Sequence, residues 1–399
     1  MKRLQGLCKW LVLSLLLGCC GGAVGAGFHH ALRFVTGLRG QHPWVIFLLP
    51  LGGLATVALY RLLKLTDNRG TNTVMDAALD GQRVAPQVLP GIFLATAITH
   101  FLGGSGGREG AALQLGGSAG SILADVVHAG ETQRKILVMA GMSAVFAGLF
   151  GTPLTASVFV LEFLNVGVIF SSAVLPCYVA AIAASRVSGA LGVQPEGVAL
   201  ETLMPISPVN GGRVLVLAIL VALLGITMCK TFHEMEHLAR KYLKNPFLRA
   251  AVGGAIVVAA TLVIGDQRYS GAGMDMALKA VEGKADWFDF ILKLLLTAIT
   301  LAAGFKGGEI VPTFCIGATF GCVAGSLLGL DSGLGAALGL VGLFCSVTNA
   351  PIASIVLSVE MFGATNLHSF ALVSILCFGL SGWCSLYASQ RHSRLKLEN

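Results

Sequence analysis

Apolar residues gather along this chain in long blocks, at 7–31, 45–65, 84–102, 136–164, 166–182, 214–228, 250–264, 288–305, 334–362 and 370–387, with most charges in the gaps. Each block can cross, or half cross, a hydrocarbon layer about 30 Å thick. The pattern predicts an all-α polytopic membrane protein. Two gaps differ from the rest. Residues 103–120 read GGSGGREGAALQLGGSAG and residues 305–321 read FKGGEIVPTFCIGATFG. Each is a glycine-packed loop that opens an apolar helix and carries one carboxylate, Glu109 or Glu309.

The two loops match each other. A shift of 201 residues places Gly107 on Gly308, Ala111 on Pro312, Gly116 on Gly317 and Gly120 on Gly321. Further on, GTPLTASVFVLEF from Gly151 matches NAPIASIVLSVEMF from Asn349 at a shift of 198, which puts Pro153 on Pro351 and Glu162 on Glu360. Two ordered matches at nearly one offset imply an internal duplication. The expected organisation is a single membrane transport domain with a first half at 1–195, a second half at 196–390 and a cytoplasmic tail at 391–399. The polar, proline-bearing stretch 192–213 is the seam, and no soluble regulatory domain is expected. Duplicated membrane halves with broken helices in matching places point to a transport site where the halves meet.

Composition supports the membrane reading. Of 399 residues, 55% are hydrophobic and 12% charged, and the mean hydropathy of +0.80 excludes a water-soluble globule. The first block follows MKRLQG and resembles a cleavable signal peptide. Apolar blocks continue to the far end, so an uncleaved first helix is expected. Lys2, Arg3, Arg61, Lys64, Arg69, Arg134, Lys135, Arg240, Lys241, Lys244, Arg249, Arg391, Arg394 and Lys396 mark cytoplasmic segments by the positive-inside rule, with both termini inside. The net charge of +7 then reflects topology, and no nucleic-acid partner is expected. The ten cysteines lie mostly in apolar blocks without a C-x-x-C pair, so small buried hydrophobes are expected, with no metal or cofactor.

The loops carry the candidate chemistry. A helix start offers unpaired N–H groups and the positive end of the helix dipole, and so attracts anions. Carboxylates in apolar surroundings are costly, which gives Glu109 and Glu309 a purpose to explain. A carboxylate at a helix start can occupy the anion site itself; on protonation it loses its attraction and yields the place to a mobile anion. Glycines four apart (Gly116 and Gly120, Gly317 and Gly321) also let helices pack closely. Glu162 and Glu360 fit either proton carriers or structural caps, the symmetry of their positions favouring caps. Arg108 and Lys306 fit either pairing partners or interfacial charges. The histidines at 29, 30, 233 and 237 are expected away from the loops.

Gly107-Arg108-Glu109-Gly110, the loop 307–312, the Asn349-Ala350-Pro351 helix start and the late Tyr387 together resemble the CLC family of chloride channels and anion/proton antiporters. The resemblance covers nearly the whole membrane portion. It implies a CLC-type fold of two inverted-topology halves built from short, tilted and broken helices, and a homodimer with one pore per protomer. It also implies that Glu109 is the gating glutamate. Tyr387 then bounds the inner side of a central anion site, where the backbones of Gly110, Ile310 and Val311 meet the ion.

The departures are informative. Gly-Arg-Glu-Gly is followed by Ala111 where chloride transporters usually have proline. Glu309 replaces a small or apolar residue, and Phe163 stands where chloride/proton antiporters often keep an internal proton-transfer glutamate. The family's anion-coordinating serine falls on Gly70-Thr71-Asn72, with Thr71 the best match. These changes resemble the fluoride-exporting branch. Fluoride is a small, strongly hydrated acceptor, so a site that strips its water must return strong donors, and a protonated Glu309 is one. The expected function is a proton-coupled fluoride exporter of the bacterial inner membrane, with fluoride and protons as substrates and lipid as the surroundings. The alternatives are a chloride/proton antiporter or passive anion channel of the same fold. A membrane-embedded enzyme using Glu109 and Glu309 as an acid pair is the third class.

Overall fold

The computed structural model describes residues 2–200 and 202–392. The rest of the expected tail, with Arg394 and Lys396, lies outside the described residues. Sixteen α-helices occur among them, eight up to residue 190 and eight from residue 208. The first eight are α1 (Lys2–Gln41), α2 (Leu49–Leu62), α3 (Thr71–Asp80), α4 (Val88–Phe101), α5 (Glu109–Val126), α6 (Glu131–Phe150), α7 (Pro153–Phe163) and α8 (Val174–Ala190). The second eight are α9 (Pro208–Tyr242), α10 (Pro246–Ile264), α11 (Met274–Val281), α12 (Asp289–Ala302), α13 (Ile310–Leu327), α14 (Ser332–Thr348), α15 (Pro351–Phe362) and α16 (Leu367–Leu380). Each helix of one half has a counterpart of similar length in the other. This is the mostly helical membrane architecture that the apolar blocks predict.

Helix length separates roles. Among the described residues seven spans are long and apolar enough to cross a membrane, Leu4–Gln41 and Pro208–Tyr242 being the longest. The remaining helices are short. The apolar blocks 136–164 and 334–362 are not single helices, because each breaks in two. Gly151 adopts φ +71° and Pro153 restarts the chain as α7, while Asn349 adopts φ +58° and Pro351 restarts it as α15. Proline lacks the N–H an interior turn needs but suits a first turn, which fixes the break. The backbone ends exposed by such breaks must find partners inside the protein, since lipid offers none.

Those partners come from the opposite half. The Glu162 carboxylate accepts hydrogen bonds from the N–H groups of Ile352 (3.0 Å) and Ala353 (2.8 Å) at the start of α15. Glu360 accepts from Leu154 (3.0 Å) and Thr155 (2.7 Å) at the start of α7. The exchange is reciprocal at the sequence offset of 198, and the two glutamates are caps.

The four-residue glycine spacing also has its packing role. A Cβ on Gly116 would lie 2.1 Å from the carbonyl oxygen of Gly141 on α6, and one on Gly317 would lie 2.5 Å from that of Gly339 on α14. These contacts seat α5 on α6 and α13 on α14. Helices α5, α6, α13 and α14 are therefore the buried middle of the molecule, and the two glycine loops open from it. Most of the cysteines, Cys177, Cys315 and Cys377 among them, are buried with the apolar core, whereas Cys8, Cys19 and Cys20 lie on the exposed face of α1. Arg134, one of the basic residues of the charge pattern, is buried: its guanidinium donates to Asp125 at 2.7 Å and lies 3.4 Å from the Ser121 carbonyl.

Candidate functional site

The loops before α5 and α13 meet back to back. Gly107 N–H donates to Gly308 O at 2.6 Å and Gly308 N–H donates to Gly107 O at 2.8 Å, an antiparallel bridge between residues that the 201-residue shift makes equivalent. The bridge sets the two helix starts side by side. Glycine is required because a Cβ on Gly308 would lie 2.4 Å from Gly110 N.

Glu109 is the first residue of α5 and is completely buried. Its Oε2 accepts from the N–H of Val311, 3.1 Å away at the start of α13, and from Arg108 N at 3.0 Å. The carboxylate of one half thus occupies the positive end of a helix of the other, where a bound anion would otherwise take the same N–H. Its Oε1 lies 3.6 Å from Arg108 Nε.

Glu309 does not stand in the equivalent place. It is the N-cap of α13, and the 201-residue shift matches it to Arg108, the N-cap of α5. One position along a helix start turns a side chain by about 100°. Glu309 therefore points elsewhere, with Oε2 3.3 Å from where a Cβ on Gly110 would sit. That oxygen is buried and has no hydrogen-bond partner among the described residues. Thr71, the first residue of α3, approaches the same spot: its Oγ1 is 3.5 Å from Gly110 O and 3.0 Å from the same Cβ position. Asn72 faces away and accepts from Ser389 N–H at 2.8 Å.

That last bond ties α3 to the segment bearing Tyr387. Leu386 N–H donates to Val347 O at 3.1 Å, and Gln390 Nε2 donates to Phe163 O (2.6 Å) and Thr348 O (2.7 Å). A two-residue parallel pairing of β1 (Asn165–Val166) with β2 (Arg391–His392) completes the attachment. Tyr387 is 3% exposed, its ring 5.5 Å from that of Phe163 in an edge contact, and its hydroxyl has no hydrogen-bond partner among the described residues. Thr71, Gly110, Glu309, Ile310 and Val311 are thus gathered around the two helix starts, and Tyr387 is carried in by the segment held on α3, α7 and α14. Phe163, where a second carboxylate is absent, stacks on Phe159 at 4.4 Å and is completely buried.

Three neighbours escape sequence reading. His29 lies beside the first loop and not away from it, its Nδ1 3.4 Å from the Arg108 guanidinium, because the 40-residue α1 passes the loop near its far end. Glu196, from the seam, pairs with Arg108. Lys293 is fully buried and donates to Ser105 Oγ (3.1 Å), Tyr269 O (2.9 Å) and Gly271 O (2.7 Å), bracing the first loop. A lone lysine inside the apolar block 288–305 was its only signal. Arg108 is thereby a pairing residue, while Lys306 places its ammonium 4.5 Å from the centroid of the Tyr60 ring. No group of three metal-binding side chains occurs among the described residues.

A family model described as voltage gated chloride channel matches residues 52–382. A chloride/fluoride channel protein of Pseudomonas syringae pv. tomato is 33% identical over 397 residues, covering 97% of this chain and 88% of that protein. The crystal structure of a CLC-type fluoride/proton antiporter superposes with a TM-score of 0.94 at 32% identity, covering 97% of this chain and 98% of that one. The structure of a slow cyanobacterial Cl−/H+ antiporter, 19% identical, shares the fold at a TM-score of 0.81 over 94% of both chains.

Proposed function

Since the chain belongs to the voltage-gated chloride channel family, we propose that it exports fluoride from the cell in exchange for protons. The observation that carries the reading is the pair of carboxylates at one site. Glu109 sits on the Val311 N–H, and Glu309 Oε2 sits beside Gly110 and Thr71. A solved relative of 32% identity that covers the chain end to end is named as a fluoride/proton antiporter, which supports the same ion.

The chemistry follows from competition for donors. An ionised Glu109 and a mobile anion cannot both hold the Val311 N–H. Protonation removes the charge that binds the carboxylate to the helix start, so Glu109 leaves and an anion enters. A leak becomes an exchange. Fluoride stripped of water needs short, strong hydrogen bonds. The hydroxyls of Thr71 and Tyr387 and the carboxyl of a protonated Glu309 supply them, with the backbones of Gly110, Ile310 and Val311 completing the site. Glu309 then carries the proton that accompanies fluoride, a task Phe163 cannot perform.

Family resemblance supports a homodimer with a separate pore in each protomer, placed in the bacterial inner membrane with both termini cytoplasmic. The seam between halves is assigned to 192–213, giving halves at 1–195 and 196–390. The test of function is fluoride-electrode efflux from proteoliposomes with and without an inward proton gradient. Efflux should accelerate with the gradient and should move protons the other way. Chloride transport of equal rate, or fluoride flux blind to the gradient, overturns the assignment.

A further inference from the structure

Arg108 lies between two carboxylates. On one side its Nε is 3.6 Å from Glu109 Oε1, and on the other its Nη2 pairs with Glu196 Oε1. Two more groups lie against it: the Phe150 ring, whose centroid is 5.4 Å from the guanidinium carbon, and the titratable His29, with Nδ1 at 3.4 Å. Arg108 is only 12% exposed and Glu196 17%, and Glu196 Oε2 is buried without a hydrogen-bond partner among the described residues. Nothing about this pair resembles a solvated surface bridge.

Glu196 is also held by backbone. Its N–H donates to Phe150 O at 3.1 Å, and the preceding Pro195 packs on Gly151, where a Cβ would lie 2.8 Å from the proline Cα. Beyond it, Leu200 N–H donates to Phe362 O and Met204 N–H to Asn366 Oδ1. The seam is therefore fastened across the helix ends of both halves, and it presents one carboxylate to the arginine beside the gate.

We propose that Glu196 is a positioning residue that sets how readily Glu109 takes up a proton, by sharing the Arg108 guanidinium with it. Arginine keeps its charge at every accessible pH, so it cannot pass the proton itself. It can only be divided between two carboxylates. With Glu196 in place, part of its field is spent there, and the Glu109 carboxylate is held less firmly in the ionised form. The other charged or titratable groups around the pair are His30 and Arg33 on α1, His100 at the end of α4, Asp275 on α11, Lys293 on α12, and Glu309 and Tyr387 across the site. All of these stay in place when Glu196 is changed. The inference rests on Glu109 being the proton-dependent gate.

The experiment uses the full chain. Ion exchange in proteoliposomes is followed against external pH for the wild type, Glu196→Gln and Glu196→Asp, with whichever of fluoride or chloride the wild type moves. Glu196→Gln should displace the midpoint to lower pH by about one unit, the effect of one charge a few ångströms away. Glu196→Asp should return it most of the way. Infrared difference spectra in detergent, read at the carboxyl band that Glu109→Gln removes, should show the same displacement without any transport. A midpoint unmoved in both measurements, or a loss of rate equal at every pH, overturns the role of Glu196. A wild type that moves no ion in response to protons overturns the antiport reading instead, and the infrared midpoint still decides for or against Glu196.

Discussion

The contact between Glu109 Oε2 and Val311 N–H, 3.1 Å across the line between halves, is where the proposed function would couple charge to passage. Glu109→Gln keeps the size of the side chain but removes its charge for good. Proton coupling should fall by at least about 10²-fold, the ordinary worth of a placed proton-transfer group. Simultaneous pH and fluoride electrodes in one vesicle suspension check this, and unchanged coupling would remove Glu109 from the mechanism. Glu309→Gln keeps a hydrogen-bond donor but has no proton to release. Fluoride binding measured by calorimetry should weaken by only about threefold, roughly 0.6 kcal/mol, while coupled exchange is lost. Full coupled exchange in that variant would make Glu309 a cap and send the proton elsewhere. Thr71 Oγ1 is directed at the same spot, and serine in its place removes one methyl group. Thr71→Ser should let chloride compete better against fluoride flux. Selectivity indifferent to that change would place the discrimination in Glu309 and the backbone.

Short helices are stable here because each broken end is capped from the other half. Glu162 of α7 accepts two N–H bonds from the start of α15, and Glu360 of α15 accepts two from the start of α7. Removing the acceptor leaves helix-start N–H groups without partners, at a cost of about 1–3 kcal/mol where the group is buried, as at Ala353. Glu162→Ala and Glu360→Ala should each lower the melting temperature in detergent by several degrees and leave the fluoride-to-chloride preference as it was. Were either glutamate a proton carrier, coupling would collapse with the melting temperature unmoved. The packing of α13 on α14 through Gly317 serves the site indirectly, since a spread of those helices would carry the Val311 N–H away from Glu109.

At the scale of the whole molecule, the proposed orientation puts both termini on the cytoplasmic face, and reporters fused at either end should be protected together in right-side-out vesicles and exposed together in inverted ones. Opposite protection of the two ends would overturn the assigned orientation. Much of this architecture was legible in the chain: the apolar blocks, the 201-residue offset that reappears as the Gly107–Gly308 bridge, and the 198-residue offset that reappears as paired caps. What stayed hidden depends on contacts with no local trace. Glu196 meets its arginine across 88 residues of chain, and His29 across 79, so neither stretch shows a pattern. The mismatch between Glu109 and Glu309 is one residue and was legible in the 201-residue shift, which sets Glu109 on Ile310; the direction in which it points the two side chains was not. The paired caps also have a meaning for synthesis. Glu162 emerges 190 residues before the N–H group of Ile352 that it binds. At about 5–20 residues per second, the nascent protein carries an unanswered carboxylate in its membrane-embedded part for roughly 10–40 s. During that time the ribosome-bound chain is an unfinished object for quality control, and its first half has no closed form of its own until the second half arrives.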